Sequence, residues 1–89
     1  MINLKRYLPE RDIKRLTKAD MKEFEDKSLD FYTQGDFTVA ILRKQHGSKL
    51  LQFGVAKRNY LDKSNPNLGQ QLAGMRAIRD YVGGFQARA

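Results

Sequence analysis

Two apolar runs separated by a short polar stretch constrain this chain more than any other feature. Residues 37–44 and 50–56 are rich in β-branched and aromatic side chains, and His46-Gly47 lies between them. The pattern predicts an antiparallel β-hairpin within residues 37–61. Because both faces of the hairpin would be apolar, a helix layer can cover one of them. The second face must be covered by another element of the chain, by a sister subunit or by a partner.

The length of the turn decides which residues face each other across the hairpin. If His46 and Gly47 form a two-residue turn, Lys44 faces Lys49, and Phe53 lies on the same face as Ala40. Two lysines that face each other repel, and a bound anion would relieve that repulsion. The hairpin tip is therefore a candidate phosphate site. The alternative is that these lysines protect an exposed sheet edge and keep the protein soluble.

Helical patterns lie on both sides of the hairpin. Thr17 begins a capping-box pattern, Gly35 provides a stop, and Pro66 stands at the first position of a second helical pattern. The predicted elements are an N-terminal arm or short helix (1–16), a helix (17–34), the hairpin (37–61), a helix (66–82) and a tail (83–89).

These elements predict an α+β fold with two layers, in which two main helices pack on a small antiparallel sheet in the order α-β-β-α. The 89 residues are enough for one domain with one modest core. There is no cysteine, so neither a disulfide nor a thiolate-bound metal can stabilise the domain.

Charge is the strongest indication of a partner. The chain carries 17 basic and 10 acidic residues, a formal charge of +7 and a pI near 9.9. Residues 36–89 contribute +6 of this excess and residues 1–35 only +1. Such an excess points first to polyanions.

Catalytic and metal-binding patterns are not found. The single histidine, His46, lies in the predicted turn and has no second ligand or nucleophile nearby in sequence. The glycines are scattered and form no phosphate-binding loop. We therefore predict no enzyme activity, no cofactor and no metal. Gly54, inside a strand, predicts a bulge or a close contact between helix and sheet.

One stretch resembles a known group of proteins. The residues that carry the resemblance are Gly54-Val55-Ala56-Lys57-Arg58-Asn59, Asp62, Asn65-Pro66, Gly69-Gln70-Gln71-Leu72-Ala73 and Arg76-Ala77-Ile78. They are similar to a pattern in small bacterial and phage proteins whose fold is like that of double-stranded RNA-binding domains. The resemblance covers about a third of the chain and implies a helix, an antiparallel sheet and a closing helix. The lysine cluster with which those domains grip duplex RNA is missing from Pro66-Asn67-Leu68-Gly69-Gln70, so duplex RNA binding of that kind is not expected.

Two functions remain open at this point. The first is nucleic-acid binding, to DNA or RNA, through phosphate contacts. The alternative is a small phage-type regulator that docks on a host protein and modulates it. The candidate nucleic-acid-binding residues are Arg43, Lys44, His46, Lys49, Lys57, Arg58, Arg76 and Arg79. A homodimer through the hairpin is a further hypothesis. The expected location is the cytoplasm, or the host cytoplasm for a phage protein, because no signal peptide or membrane span is found.

Overall fold

The structure is a computed structural model of the chain that describes residues 2–45, 47, 49–57 and 66–88, with backbone alone for 66–67 and 84–88. Its elements are α1 (Leu4–Tyr7), α2 (Glu10–Arg15), α3 (Lys18–Glu23), β1 (Lys27–Gln34), β2 (Phe37–Lys44), β3 (Leu50–Lys57) and α4 (Pro66–Arg88). The three strands form one antiparallel sheet in the order β1-β2-β3. The long helix α4 packs against β3 and β2, and α1 packs against α4.

The predicted α+β class is confirmed, whereas the predicted element order is corrected. A third strand is present, and one long helix and three short ones replace the two main helices. The short helix expected near residues 10–16 is α2, which begins after Pro9. The capping box at Thr17 is also present, because the Thr17 side chain and the Asp20 side chain each accept a hydrogen bond from the other residue's backbone amide.

The helix predicted over residues 17–34 is wrong in its second half. It ends at Glu23, and Lys27–Gln34 is the strand β1. A continuous helix would need an apolar residue at 27 or 28 to extend its buried stripe, but the sequence has Lys27 and Ser28 there. From Leu29 onward every second residue points towards the helices, which is the spacing of a strand.

Gly35 does not end a helix but turns the chain between two strands. Gln34 pairs with Phe37, so Gly35 and Asp36 form a two-residue hairpin turn. Gly35 has a φ of 58°, and Asp36 has no positive φ. Glycine in the first turn position with positive φ is the pattern of a type II′ turn, which fits the twist of antiparallel strands.

Arg43 pairs with Leu50 as predicted, whereas from Leu42 back to Phe37 the pairing of β2 with β3 differs from the predicted pairing by one residue. Ala40 faces Gly54 instead of Phe53, and the register shifts between Leu42 and Arg43. A shift of one residue moves each side chain to the opposite face of the sheet. Phe53 therefore lies on the face away from α4, and 52% of its surface is exposed.

The core lies between the sheet and the helices. Its larger members come from the N-terminal segment, the end of α3, β2 and α4: Ile2, Leu4, Leu8, Phe24, Leu42, Ile78 and Val82. The residues before Thr17 therefore pack on the helical side of the sheet. They do not cover the second sheet face, which was one of the expectations for a hairpin with two apolar faces.

Small residues let α4 approach the sheet closely. Ala40 and Ala56 in the strands meet Ala73 and Ala77 in the helix, and all four are buried. A Cβ atom on Gly54 would lie 2.5 Å from the Ala77 amide nitrogen, so only glycine fits there. The predicted close contact between helix and sheet at Gly54 is confirmed.

Helix α4 begins at Pro66, as predicted, but continues to Arg88 instead of ending at residues 83–84. Gly83 does not adopt the left-handed conformation that ends helices. Glycine lowers helix propensity by about 1 kcal/mol relative to alanine without preventing the helical conformation. The predicted tail is therefore helical through residue 88.

Candidate binding surface on the uncovered sheet face

The sheet face opposite α4 carries exposed apolar side chains. Alternation and pairing along the strands place seven of them there, and we call this surface the open face: Tyr32, Phe37, Val39, Ile41, Leu50, Phe53 and Val55. The rings of Tyr32, Phe37 and Phe53 are 56%, 46% and 52% exposed. Among the residues that the structure describes, no element shields these rings from solvent.

Each strand contributes one aromatic ring to the open face. Tyr32 is on β1, Phe37 on β2 and Phe53 on β3. Tyr32 and Phe37 lie on neighbouring strands, and the register offsets them by two residues along the strand direction. With ordinary strand dimensions, the two residues are about 8 Å apart. By the same dimensions Phe53 lies roughly 12–14 Å from both. The rings are thus spread over the face and do not pack into one cluster.

Arg43 and Asp30 form an ion pair on the open face. Arg43 Nε lies 2.5 Å from Asp30 Oδ2, and both side chains are about one-third exposed. Neither of these two atoms makes a hydrogen bond with the described residues, so the charge contact is what stabilises them there. Arg43, a predicted phosphate ligand, is therefore already neutralised by a carboxylate.

Lys57 supplies a positive charge at one end of the open face. It pairs with Phe37 across β2 and β3, and its ammonium nitrogen lies 5.8 Å from the centre of the Phe37 ring. This distance is within the range of a cation–π contact, which is worth about 0.5–1 kcal/mol at exposed sites. The contact brings together an aromatic plane and a cation.

At the hairpin tip, Arg43 pairs with Leu50, which is the register that a two-residue turn at His46 and Gly47 predicts. One residue further, Lys44 pairs with Lys27 on β1, and Lys49 lies before the first residue of β3, so the described ladder does not extend to a pair of Lys44 with Lys49. The backbone amide of Gln45 donates to the Asp26 carbonyl at 2.7 Å, so the end of β2 is held against β1. Lys44 and Lys49 are exposed, and His46 lies outside the described residues.

Arg76 and Arg79 of α4 are engaged within the molecule. Arg76 donates a hydrogen bond to the Val55 carbonyl at 2.5 Å, and Arg79 contacts Asp12 Oδ2 through Nε at 3.0 Å and through an η nitrogen at 2.6 Å. Arg58 lies outside the described residues. The described members of the predicted set are thus distributed over the sheet, the loop and α4, and do not form one patch.

Lys27 is a charged residue outside the predicted binding set. Its side chain is only 3% exposed, and its ammonium group donates to Asp26 Oδ1 at 2.6 Å and to the Glu23 carbonyl at 2.9 Å. Burial alone would lower the pKa of Lys27, but the hydrogen bond to Asp26 and the charges around it raise that pKa above 10.5. The hydrogen bond from Lys27 lowers the pKa of Asp26 below 3.8.

Phe37 and Phe53 were not among the predicted binding residues, and Tyr32 was assigned to the helix predicted over residues 17–34. The prediction continued the register of the turn unchanged along the hairpin, which placed Phe53 on the same face as Ala40. The register shift between Leu42 and Arg43 places Phe53 on the open face instead. The helix periodicity assigned to residues 17–34 hid the strand that carries Tyr32. A count of alternating positions from Leu29 to Gln34 would have indicated that strand.

Neither a metal site nor a membrane span is found in the part of the chain that the structure describes. No three histidine or acidic side chains there are placed to share a metal ion. None of the described helices combines the length and the apolar character needed to cross a membrane. Comparison of the chain with family models, with curated proteins and with solved structures finds no match.

Proposed function

We propose that this protein is a non-enzymatic module that binds single-stranded nucleic acid on its open face. The observation that carries the proposal is that each strand presents one exposed aromatic ring on a sheet face that the helices leave free. In this proposal Tyr32, Phe37 and Phe53 stack on bases, and Lys57 and other lysines contact phosphates.

Stacking supplies the affinity in this proposal. An unpaired base that stacks on an aromatic side chain contributes about 1–3 kcal/mol, whichever base it is. Antiparallel sheets with exposed rings bind single-stranded RNA in this way. The net charge of +7 adds attraction to the phosphate chain without sequence preference.

A single strand suits the open face better than a duplex does. Bases in a duplex are stacked on each other and present only their edges, so rings on a sheet cannot stack on them. The first turn of α4 has no lysine among residues 66–70, where duplex RNA-binding domains carry their phosphate-binding cluster. The proposal therefore replaces the predicted phosphate site at the hairpin tip with a stacking surface.

The test is fluorescence anisotropy with labelled single-stranded DNA and RNA and with a duplex of matched length. Phe53→Ala should weaken single-strand binding by roughly 5- to 100-fold, the effect of one lost stacking contact. Met21→Ala is the matched control, because Met21 is also an exposed large apolar residue, 45% exposed, but lies on α3. Equal binding by wild type and Phe53→Ala would contradict the proposal.

A protein partner is the second candidate for the same face. Val39, Ile41 and Val55 lie between the rings and add aliphatic surface, which a protein can bury and a nucleotide chain uses less well. Phe53→Leu separates the two candidates, since it keeps an apolar side chain but removes the aromatic plane. Nucleic-acid binding should weaken in this variant, whereas docking of a protein should change little.

A further inference from the structure

A second concave surface lies in the helical layer, away from the open face. It is an open groove of about 470 Å³ between α2 and α4. Its floor is apolar and consists of Leu8, Leu16, Ile78 and Val82. Ile78 is fully buried and Val82 nearly so, and Leu16 is partly exposed, so the floor is continuous with the main core.

Arginines form the rim of this groove. Arg79 stands on the α4 side and is paired with Asp12. Arg11 and Arg15 stand on the α2 side, one helical turn apart, and both are exposed. Neither side chain has a hydrogen bond or an ion pair with the described residues. The rim therefore carries two unneutralised positive charges. Like charges at this spacing repel each other, which costs stability.

Gly83 keeps the groove open on the α4 side. A Cβ atom there would meet no atom of the described residues within 4 Å, in contrast to Gly54, Gly69 and Gly74, whose Cβ atoms would meet neighbouring atoms. Packing therefore explains those three glycines but not this one. A glycine inside a helix costs about 1 kcal/mol relative to alanine. Because Gly83 has no side chain, free volume remains beside the apolar floor of the groove.

We propose that this groove binds an acidic segment of a partner protein, with apolar side chains on the floor and carboxylates at Arg11 and Arg15. Charge complementarity selects the occupant, because the rim has two free arginines and its one carboxylate is already paired. Arginine binds carboxylates well, through two parallel hydrogen bonds. Leu16, the partly exposed residue of the floor, offers apolar surface that a leucine-like side chain covers and a phosphate chain does not. The site is separate from the open face and stands independently of the proposed function.

The test uses the full chain and a short fluorescein-labelled peptide of glutamates and leucines, with a second peptide in which lysine replaces every glutamate. The acidic peptide should bind and the lysine peptide should not. Arg11→Gln combined with Arg15→Gln should weaken binding about tenfold, as expected for two partly exposed ion pairs. Gly83→Leu should also weaken it, because a leucine side chain would fill the groove while no charge is removed.

The matched control is Lys14→Gln combined with Lys18→Gln, which removes the same charge from neighbouring helix positions outside the groove. Circular dichroism confirms that each variant is folded. The proposal is overturned if the wild type binds both peptides alike, if the control loses as much affinity as the arginine variant, or if Gly83→Leu binds normally. It is also overturned if the arginine variant loses oligonucleotide binding and the acidic peptide does not bind, because the groove would then serve a nucleic acid.

Discussion

Lys27 is the only buried charged residue in the described part of the chain. It is the first residue of β1 and directly follows the turn after α3. Asp26 is next to it in sequence, and Glu23 lies one helical turn earlier. A buried ammonium group is tolerated only when it is paired and hydrogen-bonded. Both acceptors come from within the same turn of chain, so this local arrangement holds Lys27 in place at the start of the strand.

The Asp26–Lys27 pair predicts a pH dependence of stability. The pKa of Asp26 is lowered, so its contribution is present above pH 3.8 and is lost as the pH falls through the lowered value. The pKa of Lys27 is raised, so its contribution is present below pH 10.5 and is lost as the pH rises through the raised value. In urea denaturation between about pH 5 and pH 2, Lys27→Met should lose less stability than the wild type does. Parallel curves for the two proteins would contradict this.

Replacement of glycine by alanine should have opposite effects on stability at Gly54 and at Gly83. Gly54→Ala forces a Cβ atom into the backbone of α4 and should destabilise the protein by about 3 kcal/mol or more. Gly83→Ala meets no atom of the described residues and should stabilise the helix by about 0.5–1 kcal/mol. Thermal unfolding of the two variants measures both effects. A mild effect at Gly54 would mean that α4 can move away from the sheet.

At the scale of elements, local sequence features predicted some boundaries well and others poorly. The capping box at Thr17 and the proline at 66 mark helix starts correctly, because both act within a single turn of chain. The strand β1 was missed because Phe24 and Phe31 are seven residues apart, a spacing that fits a helix, while their real roles are in a turn and a strand. Whether residues 27–34 form a helix or a strand is decided by their pairing with β2, and that pairing cannot be read from the local sequence.

The N-terminal segment predicts a large effect of truncation. Ile2, Leu4 and Leu8 are buried against the core, and each contributes about 1.5–3 kcal/mol. Their sum approaches the whole stability of a small domain, about 5–15 kcal/mol. A chain that begins at Thr17 should therefore fail to fold, as measured by circular dichroism and sedimentation.

Lys5→Ala in the full chain is the control for that truncation, because Lys5 belongs to the same short helix but is exposed. It should unfold at nearly the wild-type temperature. A stable, monomeric chain beginning at Thr17 would mean that the first sixteen residues do not contribute to the core as the structure indicates.

At the scale of the whole molecule, the charge and the two surfaces determine how binding should respond to salt. Arg43 and Arg79 are paired with carboxylates, so fewer cations are free for phosphates than the sequence alone indicates. If about four phosphates are neutralised, log K against log salt should have a slope near −3 for a single strand. A slope near zero would favour a protein partner on the open face. Isothermal titration at several salt concentrations gives this slope.

The fold class was predictable and the candidate site was not, for a common physical reason. The β-branched runs of β2 and β3 predict strands whatever their register. The identity of the open face depends on register, and the shift between Leu42 and Arg43 changes the register by one residue. The positive charge was visible in the sequence, but the carboxylates that neutralise Arg43 and Arg79 come from distant parts of the chain.

The tight contact between α4 and the sheet separates two kinds of mutational tolerance. Positions such as Gly54 and Ala77 admit no larger side chain, so random variants that enlarge them should disappear from any library selected only for folding. The open face has no such restriction, and polar replacements of Tyr32 or Phe53 should survive that selection. If aromatic residues are nevertheless retained at those positions, selection for binding is the reason. Positions that tolerate change under the first selection and resist it under the second would outline the functional surface, whichever ligand it binds.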